Sequence, residues 1–179
     1  MPTLHRRAFA SLALMPPLLP LVACAQAPSM EGWPKPQNGQ PSVTYLRLLR
    51  KTPFFVGLGD EQLQWAIDHS REWRVKAGDE ITGSALGPDN FWVLLDGGWQ
   101  VEQGATVRPA GHADPAKWYG GAELQALKLQ PTRLVATAPS YVMHIRWADL
   151  QQMRQQRGFG PVFDPQLREG LAFYKANFR

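Results

Sequence analysis

Cysteine is almost absent from this chain: there is one in 179 residues, Cys24. That excludes a disulfide framework and any metal cluster held by several thiolates. A strong excess of charge is missing too. Lys and Arg together number 19 and Asp and Glu 15, a formal net charge of +4. Two of the basic residues are Arg6 and Arg7, so loss of a leader would leave 17 against 15. Such a balanced surface does not suit a polyanion, and nucleic acid is not expected as a partner. No repeat of 20–50 residues is visible, which excludes solenoids and propellers. What the chain does hold is apolar material, 44% hydrophobic and 11% aromatic with seven tryptophans. This is enough for one sizeable core and one folded domain, and too much for a disordered chain.

Residues 1–23 contain His5-Arg6-Arg7 and no acid, followed by an apolar run broken by Pro16, Pro17 and Pro20. That is the pattern of a secretory leader, and the prolines argue against a stable spanning helix. The run ends Leu21-Val22-Ala23-Cys24. This resembles the lipobox of bacterial lipoproteins, which implies cleavage before Cys24, a diacylglycerol on its sulfur and an acyl chain on its amine. Under that family's sorting rule Ala25, where an aspartate would retain the protein, implies the outer membrane facing the periplasm. The other reading of the same segment is a plain secretory leader cut after Ala25-Gln26-Ala27, which would leave Pro28 first. Arg6-Arg7-Ala8-Phe9 also resembles the core of a twin-arginine export signal, with an ordinary positive n-region as its alternative. Three acyl chains would anchor the protein stably, since each buried methylene contributes about 0.8 kcal/mol and one chain alone holds only marginally. Residues 24–41, with Pro28, Pro34, Pro36 and Pro41, read as an extended tether.

The folded domain is expected over 42–179. Ser42 suits a helix cap before Tyr45, Leu48 and Leu49, and Pro53 ends that segment. A second short helix has Asp60 as its cap, Glu61 in its first turn, Leu63, Ala66 and Ile67 as its apolar stripe, and His69 at its end. The period then changes to two: Trp73 and Val75, then Phe91, Val93 and Leu95, then Trp99 and Val101, with Asp96-Gly97-Gly98 read as a hairpin turn. A last strand carries Tyr141, Met143 and Ile145. Helical spacing returns at Trp147, Leu150 and Met153, stops at Gly158, and resumes after Asp164-Pro165 with Leu167, Leu171, Tyr174 and Phe178. Helix, short strands, then two helices predicts an α+β fold with a jelly-roll β-barrel at its centre.

Several stretches bear a family likeness. Lys51-Thr52-Pro53-Phe54-Phe55-Val56-Gly57-Leu58, Lys76-Ala77-Gly78-Asp79-Glu80-Ile81, the segment Phe91-Trp92-Val93-Leu94-Leu95-Asp96-Gly97-Gly98-Trp99-Gln100-Val101, and residues 136–150 resemble, in order and spacing, a cyclic nucleotide-binding domain of the catabolite-activator sensor type. The resemblance implies a ligand cassette of the form Phe-Gly-Glu-Leu-Ala, then Pro-Arg-x-Ala-Thr-Val. There an arginine and backbone N–H groups meet the cyclic phosphate, and a glutamate meets the ribose. Here Trp118-Tyr119-Gly120-Gly121 stands at that place, so Gly121 replaces the carboxylate and Glu123 lies two positions later. Counting back from Ala136 puts the arginine position on Gln130 and the threonine position on Arg133. A shifted cassette would use Gly120, Gly121, Glu123, Gln130, Pro131, Thr132 and Arg133, with Glu123 and Arg133 as the charged ligands. The other reading turns both side chains to solvent, and cyclic nucleotide is not expected to bind.

Other chemistry is scarce. His112-Ala113-Asp114 offers two metal ligands without a third, so no metal or other cofactor is expected. His144 reads as a partly buried structural residue. Gly83-Ser84 lacks the second glycine of a hydrolase nucleophile turn, and no catalytic residue is assigned. The tryptophans suit core positions, with a carbohydrate or lipid platform as the alternative. The family's transcription factors append a helix-turn-helix module, whereas about thirty residues follow Trp147 here and two helices use them. The expectation is a membrane-anchored, non-enzymatic binding or interaction module. Its alternative is a sensor for a cyclic nucleotide or another small anionic ligand. The stripe Leu167, Leu171, Tyr174 and Phe178, rimmed by Gln151, Gln152, Arg154, Gln155, Gln156 and Arg157, would seat an envelope protein or a second copy if it were exposed.

Overall fold

The computed structural model describes residues 43–82, 87, 89–156 and 158–178. Cys24, the leader, the tether, Ser42, Gly83-Ser84 and Arg157 lie outside the described residues. The order is α1 (Val43–Leu49), α2 (Asp60–Asp68), β1 (Ser70–Val75), β2 (Glu80–Thr82), β3 (Asn90–Asp96), β4 (Gly98–Gln103), β5 (Thr106–Gly111), β6 (Trp118–Gly120), α3 (Gly121–Gln125), β7 (Arg133–Ala136), β8 (Ser140–Arg146), α4 (Trp147–Arg154) and α5 (Gly160–Asn177). The strands form two antiparallel four-stranded sheets, β1-β8-β3-β6 and β2-β7-β4-β5. This is the expected jelly roll with flanking helices, an α+β architecture.

Alternation sets the second sheet. Trp99 and Val101 face Ala136 and Leu134 across the β4–β7 register. All four are buried, while Gln100 and Glu102 between them are partly exposed. Trp99 satisfies its indole N–H on the carbonyl of Ala116 at 2.8 Å. The first sheet breaks the alternation. Phe91 to Leu95 are buried without interruption, because β3 lies between β8 and β6 and its outer face is roofed by helices. On that face Phe91 meets Phe54, Phe163, Trp118 and Trp147 at centroid distances of 6.2, 5.9, 5.3 and 5.5 Å.

Three local expectations need correction, and one strand went unpredicted. Asp96-Gly97-Gly98 is not a hairpin turn: β3 and β4 belong to different sheets, and the chain crosses here from one to the other. A side chain on Gly97 would strike Ser140, whose hydroxyl accepts the N–H of Gly98 at 3.0 Å. The hairpin is instead β4–β5, pairing Gln103 with Thr106 around Gly104-Ala105. β5 gave no period-two signal because it is an edge strand with Pro109 inside it, where a missing N–H costs no ladder bond. The cap of α2 is Gly59, not Asp60. Gln62 accepts the Gly59 N–H at 3.0 Å, and Asp60 pairs with Arg50 at 2.7 Å. Finally, α5 starts at Gly160 rather than after Pro165, which lies inside it. Only one backbone bond is lost so close to the helix start, and Phe163 and Leu167, both buried, hold the turn on either side.

α5 is fastened to β6. Gly170 lies flat against Trp118; an added Cβ would come within 2.6 Å of the indole Cε2 and 2.8 Å of the Pro115 carbonyl. Trp118 donates its N–H to the Gln166 carbonyl at 3.2 Å, and Tyr174 donates its hydroxyl to the Trp118 carbonyl at 2.6 Å. Beside them Lys117 is buried, 3.7 Å from Glu169 of α5. Burial lowers its pKa, with Glu169 and Asp114 opposing the shift. Three of the four stripe residues, Leu167, Tyr174 and Phe178, are buried within the molecule and Leu171 is partly exposed. Gly170→Ala gains about 1 kcal/mol of helix propensity but meets backbone and a packed ring, which costs more. A net loss of about 1–3 kcal/mol is expected in urea unfolding, and an unchanged midpoint would contradict this packing.

Candidate functional site

The cassette region runs from β6 through α3 and residues 126–132 into β7. Gly120 and Gly121 adopt φ of 101° and 75°, conformations open chiefly to glycine. Where a carboxylate would sit at Gly121 the space is taken: a Cβ there would lie 2.6 Å from the Trp147 ring. Glu123 instead accepts from Arg154 at 2.9 Å, and the same guanidinium reaches Asp164 at 2.8 Å.

The remaining positions separate as well. Gln130 is exposed and contributes its carbonyl to the Gln103 amide at 3.1 Å. Pro131 is exposed, and Thr132 is turned inward, its hydroxyl paired with that of Tyr119. Burial raises the Tyr119 pKa, and the bond to Thr132 opposes the shift. Arg133 has a side chain 57% exposed on the solvent side of the second sheet, 2.6 Å from Glu102 and 3.6 Å from Glu80. Hydrogen bonds from Gln100 and Arg133 hold the Glu102 carboxyl below its usual range. Glu102, Gly104, Pro131, Thr132 and Arg133 line an open depression of about 330 Å3. Two carboxylates already balance its one guanidinium, so it offers an anion no net attraction. The structure therefore brings Glu123 to α4 and α5, and Arg133 to β2 and β4, and does not bring the two together.

His144 donates its Nε2–H to Asn90 Oδ1 at 2.8 Å and packs 4.6 Å from the Trp92 ring. Burial, then the charge of Arg71, pushes its pKa down to about 4. His112 is exposed, while Asp114 accepts the Gly111 N–H at 2.7 Å and closes a turn. Among the described residues no group of three or more His, Cys, Asp and Glu side chains could hold a metal. Trp73, Trp92, Trp99, Trp118 and Trp147 are core residues, and Trp65 is half-buried and stacked on His69.

Solved structures share this architecture. A protein from Geobacter metallireducens GS-15 described as cyclic nucleotide-binding superposes with a TM-score of 0.55 at 26% identity, over 71% of this chain and 95% of that one. The fold is that of a cyclic nucleotide-binding domain. CBD2 of PKAR, solved with Sp-2Cl-cAMPS bound, superposes with a TM-score of 0.53 at 19% identity, over 74% of this chain and 86% of that one. The regulatory subunit of a cAMP-independent protein kinase A from Trypanosoma brucei gives 0.55 at 19%, and the match spans 74% of this chain and half of that longer one. No protein-family model and no curated protein matches the chain. These neighbours are described as regulatory or cyclic nucleotide-binding proteins, and what the likeness shows for this chain is the shared fold.

Sequence reasoning missed Trp147 as the group filling the Gly121 position, and Arg154 as the partner of Glu123. Two adjacent glycines ahead of a helix were the available signal for the first. Nothing local marks the second, because its partners are 31 and 10 residues away. The His144 shift has a testable sign. With a folded pKa near 4 against an ordinary 6.5, the imidazole is neutral in the native state and charges more readily when unfolded. Its stabilisation is complete above pH 6.5 and is lost as pH falls toward 4, by up to about 3 kcal/mol. Chemical denaturation across that window should show the loss, and His144→Gln should flatten it; equal slopes in the two proteins would contradict the burial of this ring.

Proposed function

We propose that this chain is a membrane-anchored, non-enzymatic binding or interaction module that keeps the cyclic nucleotide-binding fold without using it for a cyclic nucleotide. The observation that carries this reading is the spending of the cassette's charges inside the molecule. Glu123 is paired with Arg154, Arg133 with Glu102 and Glu80, and the Gly121 position is filled by an indole. Recognition of a cyclic phosphate needs a free guanidinium facing it, and breaking these pairs to supply one would leave a carboxylate unmatched. The Trypanosoma brucei neighbour belongs to a protein kinase A described as cAMP-independent, so the fold does not by itself entail a response to cAMP.

Anchoring rests on the lipobox-like Leu21-Val22-Ala23-Cys24, and export on the leader with its twin-arginine-like Arg6-Arg7-Ala8-Phe9. Among the described residues no helix is long and apolar enough to cross a membrane; in this reading attachment runs through Cys24. The protein would then face the periplasm, with the outer membrane favoured by Ala25, and meet an envelope protein or a second copy of itself. Leu171, the stripe residue left partly exposed, is the place on α5 where such a contact would show.

Intact mass and fractionation test the anchor. Wild type should carry acyl mass on an N-terminal Cys24 and sediment with membranes, and Cys24→Ala should be released or retain its leader. A mature N-terminus at Pro28 with no acyl mass would overturn the anchoring. For the partner, sedimentation of the chain with and without Leu171→Asp should show a folded variant with reduced assembly. A strictly monomeric wild type that captures nothing from membrane extracts contradicts the interaction reading.

A further inference from the structure

α4 touches the cassette helix at both of its ends. Trp147 is its first residue and Arg154 its last. Seven residues make close to two turns, which puts both side chains on one side of the helix, about 10 Å apart along its axis. At one end the Trp147 indole closes on Gly121, where the backbone has room for no side chain. At the other the Arg154 guanidinium donates to Glu123 of α3 at 2.9 Å, to Gln151 of its own helix at 3.2 Å, and to Asp164 of α5 at 3.0 Å. Its side chain is only 21% exposed, so solvent and salt screen this three-way contact less than a surface pair. The Arg154 guanidinium also lies 5.9 Å from the Phe163 ring, in the first turn of α5.

We propose that α4 is a brace that holds the cassette helix α3 and the first turns of α5 in one fixed arrangement without any ligand, with Arg154 as its catch. The link between α4 and α5 contains Gly158 at φ of 87°, and beyond it Phe159 and Phe163 are packed in the core, so loss of the catch would loosen the start of α5 without detaching it. The far half of α5 has its own attachments. Gly170 and Tyr174 on Trp118, and Asn177 accepting from Arg108 at 2.9 Å, do not pass through Arg154. Release should therefore be a local loosening of α3 and residues 160–167, limited at its far end by the Trp118 bond to the Gln166 carbonyl, with the barrel and residues 170–178 left as they are.

Hydrogen exchange on the full chain, read by mass spectrometry, tests the brace with wild type, Arg154→Met, Arg154→Lys and Glu123→Gln. Arg154→Met should speed exchange in 121–125 and 160–167 by about tenfold or more while β3, β8 and residues 170–178 keep their protection. Arg154→Lys keeps the charge but cannot fork between two carboxylates, and should fall between. Glu123→Gln should loosen α3 and leave 160–167 nearly as in wild type, since Asp164 stays paired. Concentrated salt should move wild type only slightly toward Arg154→Met, because this contact is poorly screened. If 121–125 and 160–167 exchange as in wild type in both Arg154 variants, or if β3 and β8 lose protection to the same degree, Arg154 is not the catch. Should Arg154→Met fail to fold, unchanged exchange of 121–125 in both Arg154→Lys and Glu123→Gln overturns the proposal equally.

Discussion

Trp118 is the side chain on which the arrangement of helices and barrel depends. It sits on β6, at the edge of the first sheet, with its ring stacked 5.3 Å from Phe91 and edge-on to Tyr174 at 5.6 Å. A ring of this size can be buried there only if the helix above it carries no side chain at the crossing point, and Gly170 meets that condition. Its one polar atom and its carbonyl are both satisfied by α5. Burying an indole with its N–H paired contributes more than any surface ion pair in the molecule. Since β6 leads directly into α3, whatever fixes α5 to Trp118 also fixes the first residue of the cassette.

From that constraint the character of the site follows. In a domain whose cassette awaits an anion, a guanidinium has to remain available inside the barrel mouth. Here the inward groups at the start of β7 are the paired hydroxyls of Tyr119 and Thr132, neutral and mutually satisfied. The guanidinium of Arg133 is turned to the opposite face of the sheet and matched there. On the proposed reading the fold serves binding, while Glu123 and Arg133, the charged groups of the cassette, are paired within the molecule.

Much of this was legible in the sequence, and the gaps have physical reasons. The stripe of α2, the alternation around Trp99 and Val101 and the helical spacing of Trp147, Leu150 and Met153 are local patterns, and each gave the observed element. Asp96-Gly97-Gly98 misled because a glycine pair after an apolar strand marks a reversal or a crossing between sheets equally well, and only the pairing partners decide. β5 was hidden by Pro109, and the start of α5 by Pro165, since proline is read as a breaker where its context tolerates it. At the site, the loss of the carboxylate at Gly121 was visible one residue at a time. The fates of Glu123 and Arg133 depend on Arg154, Glu102 and Glu80, which are distant in sequence, and no spacing rule reaches them.

The central claim, that the cassette is closed on itself and offers no phosphate site, is tested most directly by isothermal titration of the purified chain with cyclic AMP. The account predicts no saturable heat, corresponding to a Kd weaker than about 1 mM. Micromolar binding that disappears in Arg133→Ala or Glu123→Ala would contradict it, because it would require these side chains to leave the partners described above and converge on the ligand.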